Sequence, residues 1–432
     1  MSLEAFEQIE STVRGYVRNF PVVFDTAEGS YLYDIDGKAY LDFFAGASVL
    51  NYGHNHPELQ KALIEYISRN GLTHSLDMAS TAKAAFLETF KRRILEPRGL
   101  PHKVQFPGPT GTNSVEAALK LARKVKGREK VMSFTNAFHG MTLGALSVTG
   151  NAFKRGGAGL PLTHSDSMPY YGYFGDEVDT IEYIDRLLAD QGSGVDLPAG
   201  VIVETVQAEG GINVADLGWL KRLEALCRRY DMLFIVDDIQ MGCGRTGKFF
   251  SFEEAGVEPD IICLSKSISG YGLPMALTLI KPEWDVWEPG EHNGTFRGNN
   301  LAFVTAARAL DLYWSDDRLS DEVERKGRMI HAGLKHLTEK YAASKGAVRG
   351  RGMMQGIHFE DADMAGTVSK HAFQHGLIIE TSGPEGEVLK LMPPLTTSDE
   401  DIKKGLDIVD QAMAEALDVD GKDGMPVRAI FD

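Results

Sequence analysis

Residues 234–269 read FIVDDIQMGCGRTGKFFSFEEAGVEPDIICLSKSIS and hold two short apolar runs, each closed by charge. Leu233-Phe234-Ile235-Val236 runs into Asp237 and Asp238, and Ile261-Ile262-Cys263-Leu264 runs into Ser265 and Lys266. Short β-branched runs bounded by turn signals read as buried strands of a parallel sheet. Open α/β sheets bind ligands beyond the carboxyl ends of their strands. An acid and a lysine brought to one sheet edge by separate strands are therefore a candidate active site.

Working outward, further strand ends carry polar residues. Lys130-Val131-Met132-Ser133-Phe134 ends at Asn136-Ala137-Phe138-His139-Gly140, where an aromatic pair stands just past a strand. The run from Val201 to Gln207 contains Glu204, and an acid inside an apolar run needs a partner or a task. Glu209 follows in a glycine-rich loop. Upstream, Gly108-Pro109-Thr110-Gly111-Thr112-Asn113-Ser114 opens a helix with Val115, Ala118, Leu119 and Ala122 on one face. Asn113 with Glu116 three residues later fits a capping box, and the free N–H groups of such a turn suit a phosphate. Residues 150–200 read as a glycine-, proline- and tyrosine-rich loop excursion.

Residues 1–20 read as a helix or an arm, with Phe6, Ile9, Val13 and Val17 at helical spacing. Residues 29–43 read as a hairpin turning at Asp36-Gly37. His54 and His56 lack a third ligand nearby and read as loop residues. From about residue 320 the pattern becomes helix, strand, helix, strand, helix. The expected organisation is residues 1–55 packing with a small α+β domain at 320–432, around a large α/β domain at 56–319 with a mostly parallel central sheet.

The 432 residues carry a net charge of -16, which disfavours nucleic acid and anionic membrane as partners. Three scattered cysteines argue against a disulfide framework and a zinc site. No run approaches the ~20 apolar residues of a membrane span, and no signal peptide opens the chain. A cytoplasmic location is expected.

Two motifs in the central stretch mislead. Gly242-Cys243-Gly244-Arg245-Thr246-Gly247 matches a dinucleotide fingerprint, and with Lys248 it matches a P-loop. Both require a helix to start at the glycines, and Lys248-Phe249-Phe250-Ser251-Phe252 offers no helix start.

The chemistry that fits the set is that of pyridoxal phosphate. It needs a lysine for its aldehyde, a carboxylate beside its ring nitrogen, donors for its phosphate and a flat surface against its ring. Lys266, Asp237, the Gly111-Thr112 turn and Phe138 supply one candidate each. With YLYDIDGKAYLDFF, GHNHP, NAFHG, VETVQAEGG, GCGRTGKF, PDIICLSKSISG and the late Pro393-Pro394 pair, the chain resembles the class III (omega) aminotransferases of the fold-type I pyridoxal phosphate enzymes over nearly its whole length.

The resemblance implies that Lys266 holds the cofactor and later shuttles a proton, with Asp237 at the ring nitrogen. It implies Gln240 near the ring's phenolic oxygen, Phe138 against the ring with His139 beside it, and Gly111 and Thr112 at the phosphate. Thr295 is implied as a phosphate contact from the neighbouring subunit, making a homodimer the smallest active unit, with tetramers or hexamers also open. Glu204 is implied near the cofactor and Glu209 at the substrate mouth. Relatives carry Glu after the strand acid and Arg three residues before the proline pair; here those positions are Asp238 and Lys390. Lys390 and Arg297 are competing ligands for the substrate carboxylate. The reaction implied is amination of L-aspartate 4-semialdehyde by L-glutamate, giving L-2,4-diaminobutyrate and 2-oxoglutarate, the opening of ectoine biosynthesis. Transfer to another ω-amine (4-aminobutyrate, ornithine, lysine) and an aminomutase are the alternatives. A potassium ion is implied too, although no residue marks its site.

Overall fold

The computed structural model describes residues 3–175, 177–419 and 425–431. Its centre is a seven-stranded sheet. In spatial order the strands are Lys103–Gln105, Leu277–Ile280, Ile261–Leu264, Leu233–Asp237, Gly200–Val203, Val131–Phe134 and Ser165–Met168. The last five run parallel, and only Leu277–Ile280 runs against its neighbours. The Asp237 and Lys266 strands are therefore adjacent and parallel, with Asp237 level with Cys263.

Both faces of the sheet are covered, which is why these strands read as unbroken apolar runs. Leu233, Ile235, Ile261 and Cys263 pack with Val115, Ala118, Leu119 and Ala122 of the Gly111–Lys126 helix. Phe234, Val236, Ile262 and Leu264 face the larger core on the other side. A four-stranded antiparallel sheet follows toward the C-terminus, ordered Ala347–Arg351, Met354–His358, Val388–Leu391, Glu380–Ser382. The hairpin at Gly37 forms as expected, with Tyr31 opposite Leu41. It belongs to a further sheet in which Ala39–Asp42 pairs in parallel with Leu377–Ile378.

Four local expectations are corrected. Residues 1–20 do not form one helix: short helices span Glu4–Gln8 and Tyr16–Asn19. Ile9 and Val13 are 85% and 89% exposed, so the apolar spacing meets no core that would hold one continuous helix. The excursion at 150–200 is not all loop. It contains the edge strand Ser165–Met168 and the helices Ala152–Gly156 and Thr180–Ala189. The edge strand is polar because only one neighbour covers it. The Val201–Gln207 run breaks at Glu204: Gly200–Val203 stays in the central sheet and Val206–Gln207 pairs with Asn213–Val214. The helix expected to be capped by Asn113 and Glu116 begins earlier, at Gly111. Asn113 Oδ1 accepts from Thr110 N (3.1 Å) and Thr110 Oγ1 (2.8 Å). Glu116 turns instead to Thr142 Oγ1 and to Ala145 N at 2.9 Å.

His56 caps the Pro57–Ser68 helix through Glu58 N, and His54 Nε2 lies 2.7 Å from Asp42 Oδ2. The glycine run at 242–247 is a connecting turn with no helix after it. Its Arg245 is wholly buried, donating to Ser48, Asn51 and the carbonyls of Met353 and Pro393. No described helix is long and apolar enough to cross a membrane.

Candidate active site

At the carboxyl edge of the sheet a cavity opens. Gly111, Thr112, Phe138, His139, Glu204, Asp237, Gln240 and Lys266 all line it. The strand order explains the gathering. Lys266, Asp237, Glu204 and the Phe138-His139 pair follow the ends of four successive neighbouring strands. Val236 is level with Val203, so Asp237 and Glu204 leave the sheet side by side.

Lys266 follows its strand after one residue, at φ 52°. That left-handed conformation is sparsely populated for a residue with a side chain and is a strain that functional positions tolerate. Burial is the main cause that pulls its amine down to about 8, so the neutral, nucleophilic form is accessible near physiological pH. Asp237 is held on both oxygens: Oδ2 lies 2.7 Å from His139 Nδ1, and Oδ1 accepts from Ile239 N at 3.2 Å. Burial opposes charge on His139, but the Asp237 contact outweighs it and the imidazole is raised. Its Nε2 is buried with no hydrogen-bond partner, a polar atom awaiting one.

Burial pushes the Glu204 carboxyl up to about 8, so it is largely protonated at neutral pH. One of its oxygens, Oε2, accepts from Phe138 N at 3.0 Å, fixing the aromatic loop. The Phe138 ring carries Lys154 Nζ 4.2 Å from its centroid. The helix beginning at Gly111 presents its N-terminus to the cavity. A Cβ on Gly111 would lie 3.1 Å from Ile239, so glycine allows this close approach. The donor set fits pyridoxal phosphate: an amine for the aldehyde, a clamped carboxylate for the ring nitrogen, N–H groups at a helix start for the phosphate.

Asp238, the departure beside Asp237, does not line this cavity. It is wholly buried, accepts from Ser251 N at 3.1 Å and from Ser251 Oγ, and burial raises it to about 7.

Behind Gln240, which lines the cavity, Lys390 Nζ lies 2.7 Å from Glu209 Oε1, and Glu209 Oε1 also accepts from Gln240 Nε2 at 3.1 Å; neither Glu209 nor Lys390 is itself among the lining residues. Burial opposes ionisation of Glu209, but Lys390 and Lys266 pull it down to about 2. Lys390 has a second partner, Glu380, 2.8 Å away. Glu380 went unremarked in the sequence reading, although it ends an apolar run as Glu204 does. Tyr16 was also missed. Its ring stands 5.0 Å from that of Phe44. Burial, then the carboxylates of Glu380 and Glu209, raise its hydroxyl.

Thr295 and Arg297 stand apart from this cavity. They form a short turn in which the Thr295 carbonyl lies 2.6 Å from His74 Nε2 and Arg297 Nη1 donates to Asn293 Oδ1 at 3.0 Å.

Comparison with known proteins agrees with the geometry. The family model "Aminotransferase class-III" matches residues 13–413. The diaminobutyrate–2-oxoglutarate transaminase of Streptomyces avermitilis is 62% identical over 414 residues, covering 96% of this chain and 98% of the relative. That of Virgibacillus pantothenticus is 56% identical over 415 residues, covering 96% and 100%. Among solved structures, an ornithine aminotransferase from Toxoplasma gondii, described with partial occupancy of PLP at its active site, superposes with a TM-score of 0.82 at 29% identity, covering 96% of this chain and 94% of that one. A Bacillus anthracis aminotransferase gives 0.84 at 26% identity, with 95% and 97% covered. The chain belongs to the class-III aminotransferases.

Proposed function

We propose that the protein transfers the α-amino group of L-glutamate to the terminal carbon of L-aspartate 4-semialdehyde, releasing 2-oxoglutarate and L-2,4-diaminobutyrate. The observation that carries the transamination is the meeting of Lys266 and the His139-clamped Asp237 in one cavity at the start of the Gly111–Lys126 helix. The choice of substrate rests on the 62% identity to a diaminobutyrate–2-oxoglutarate transaminase along nearly the whole chain.

Pyridoxal phosphate, when bound, supplies an aldehyde that takes up the amino group and a ring that draws electrons from the substrate carbon. Lys266 would bind it and, as a free amine, would take the proton from the donor's amino-bearing carbon and, in the return half, give a proton to the carbon of the acceptor that gains the amine. Its lowered basicity suits both tasks. Asp237, oriented by His139, would hold a positive charge at the ring nitrogen. Gly111 and Thr112 bind the phosphate through the helix N-terminus. Phe138 would pack against the ring, and Glu204, mostly neutral at physiological pH, fixes the Phe138 backbone without adding a second negative charge beside Asp237. Gln240 would serve the phenolic edge, and it holds Glu209.

Glu209 and Lys390 form the substrate gate. Paired, they present no free cation; when Glu209 moves aside, Lys390 is exposed to the carboxylate of glutamate. Lysine meets it as a point charge, without the bidentate fork of arginine. Thr295 and Arg297 would act across a subunit contact, which makes a homodimer the smallest complete unit and leaves room for a tetramer or hexamer. The product would enter ectoine biosynthesis in the cytoplasm, and a potassium requirement is tested by assay in sodium against potassium salts.

The test is donor profiling with 2-oxoglutarate as acceptor. L-2,4-diaminobutyrate is expected to be consumed faster than ornithine, lysine or 4-aminobutyrate. A faster rate with any of those three would reassign the substrate.

A further inference from the structure

Lys390 is more heavily countered than a simple gate requires. Its Nζ lies 2.7 Å from Glu209 and 2.8 Å from Glu380, and the side chain is fully buried. The two partners are held differently. Glu380 and Lys390 are cross-strand partners in an antiparallel pair, so the sheet itself fixes their contact. Glu209 comes from a loop and is shared with Gln240, which lines the cavity. When Glu209 moves aside, Glu380 stays.

Two carboxylates contact one ammonium, a buried arrangement that a further cation relieves: Lys266 does so through its field, and a substrate ammonium would do so by contact. The carboxyl shifts are consistent with it: Glu209 is pulled down to about 2, whereas burial keeps Glu380 raised despite Lys390. Glu380 is only 5% exposed, so water does little to relieve it. The positive field of Lys266 reaches it as well, which places it within electrostatic range of the reacting end.

The inference rests on the reaction proposed above and deepens it. The two amino donors of that reaction differ in charge away from the reacting amine. Glutamate reacts through its α-amine and otherwise offers only carboxylates. Diaminobutyrate reacts at its terminal amine and carries an α-ammonium at the far end. We propose that Glu380 is a specificity-determining residue: the fixed counter-ion of Lys390 that receives the α-ammonium of diaminobutyrate and of aspartate semialdehyde. It favours an amino acid over a plain ω-amino acid in that half-reaction. In the other half it moderates the grip of Lys390 on glutamate, so that both donors share one mouth.

The experiment compares the purified holoenzyme with Glu380→Gln and Glu380→Asp, following bleaching of the bound cofactor in single turnovers. The donors are L-2,4-diaminobutyrate, 4-aminobutyrate, which has the same chain and carboxylate but no α-ammonium, and L-glutamate. Glu380→Gln is expected to lower kcat/KM for diaminobutyrate by roughly tenfold or more, the scale of a lost charged hydrogen bond. It should not weaken 4-aminobutyrate, which has no α-ammonium for Glu380 to receive, and it should lower KM for glutamate. Glu380→Asp should retain part of the preference. If the Gln variant does not hold cofactor, the Asp variant alone decides, by weakening diaminobutyrate selectively or not. Equal losses across the three donors, or an unchanged ratio of diaminobutyrate to 4-aminobutyrate, would overturn the proposal. A wild type with no preference for diaminobutyrate over 4-aminobutyrate overturns the reaction itself, and this shows before any variant is compared.

Discussion

Lys266 combines three properties that rarely coincide by accident: a left-handed backbone, a buried amine lowered to about 8, and a place two residues past the end of a strand. Lys266→Ala should abolish turnover and the yellow absorbance of the lysine-bound cofactor together, read by a spectrum and an assay on one preparation. Turnover at the wild-type rate would remove Lys266 from the chemistry. The lowered pKa also sets a pH dependence. Only the neutral amine attacks an aldehyde, so cofactor uptake by the apoenzyme should accelerate as pH rises through about 8 and then level. Stability has the same sign: between that value and the ordinary lysine range the unfolded chain binds the extra proton, so the apo fold gains stability as pH rises there. Lys390 pairs with Glu209, which Gln240 ties to the cavity, whereas Arg297 bonds Asn293 and Gly294 within its own loop. Lys390→Ala should therefore raise KM for glutamate more than Arg297→Ala does. The reverse order would give the carboxylate to Arg297.

The element that binds hardest to the rest of the account is the Gly111–Lys126 helix. Its N-terminus closes one side of the cavity, and Asn113 ties the Thr110 backbone and hydroxyl at its start. Asn113→Ala should cost about 1 kcal/mol of stability, as cap losses do, and should weaken cofactor binding, both measurable by thermal melts with and without pyridoxal phosphate. This helix also shows what a sequence can and cannot declare. Its buried face was plain from Val115, Ala118, Leu119 and Ala122, and its polar start was plain from the glycines. The start was misplaced because Asn113 followed by Glu116 imitates a capping box, and only the folded chain shows Glu116 reaching Thr142 instead. The same division holds for the strands. The runs at Asp237 and Lys266 announced themselves because both sheet faces are covered. Ser165–Met168 stayed hidden because an edge strand can be polar. Cross-strand register is the least legible property, and so Glu380, opposite Lys390, escaped notice. Tyr16 escaped for a related reason: it comes close to Glu380 only through tertiary folding.

Across the whole molecule, Arg245 joins segments far apart in sequence. It sits in the glycine-rich turn yet reaches Ser48 and Asn51 near the N-terminus and the carbonyls of Met353 and Pro393 toward the C-terminus. Burial lowers it to about 9, yet it stays charged at neutral pH. The motif that most resembled a nucleotide cradle therefore acts as an internal tie. Arg245→Met should destabilise the protein by about 3 kcal/mol or more, because several buried acceptors lose their donor, and a drop in Tm with retained cofactor colour at low temperature checks it. The central claim is that this cavity moves an amino group from glutamate onto aspartate semialdehyde. It is tested most directly by supplying the purified yellow protein with L-glutamate and, in turn, L-aspartate 4-semialdehyde, succinate semialdehyde and glutamate semialdehyde. The account predicts that L-2,4-diaminobutyrate forms at the highest kcat/KM and that none forms without an amino donor; faster turnover of another semialdehyde, or turnover that needs no donor, would contradict it.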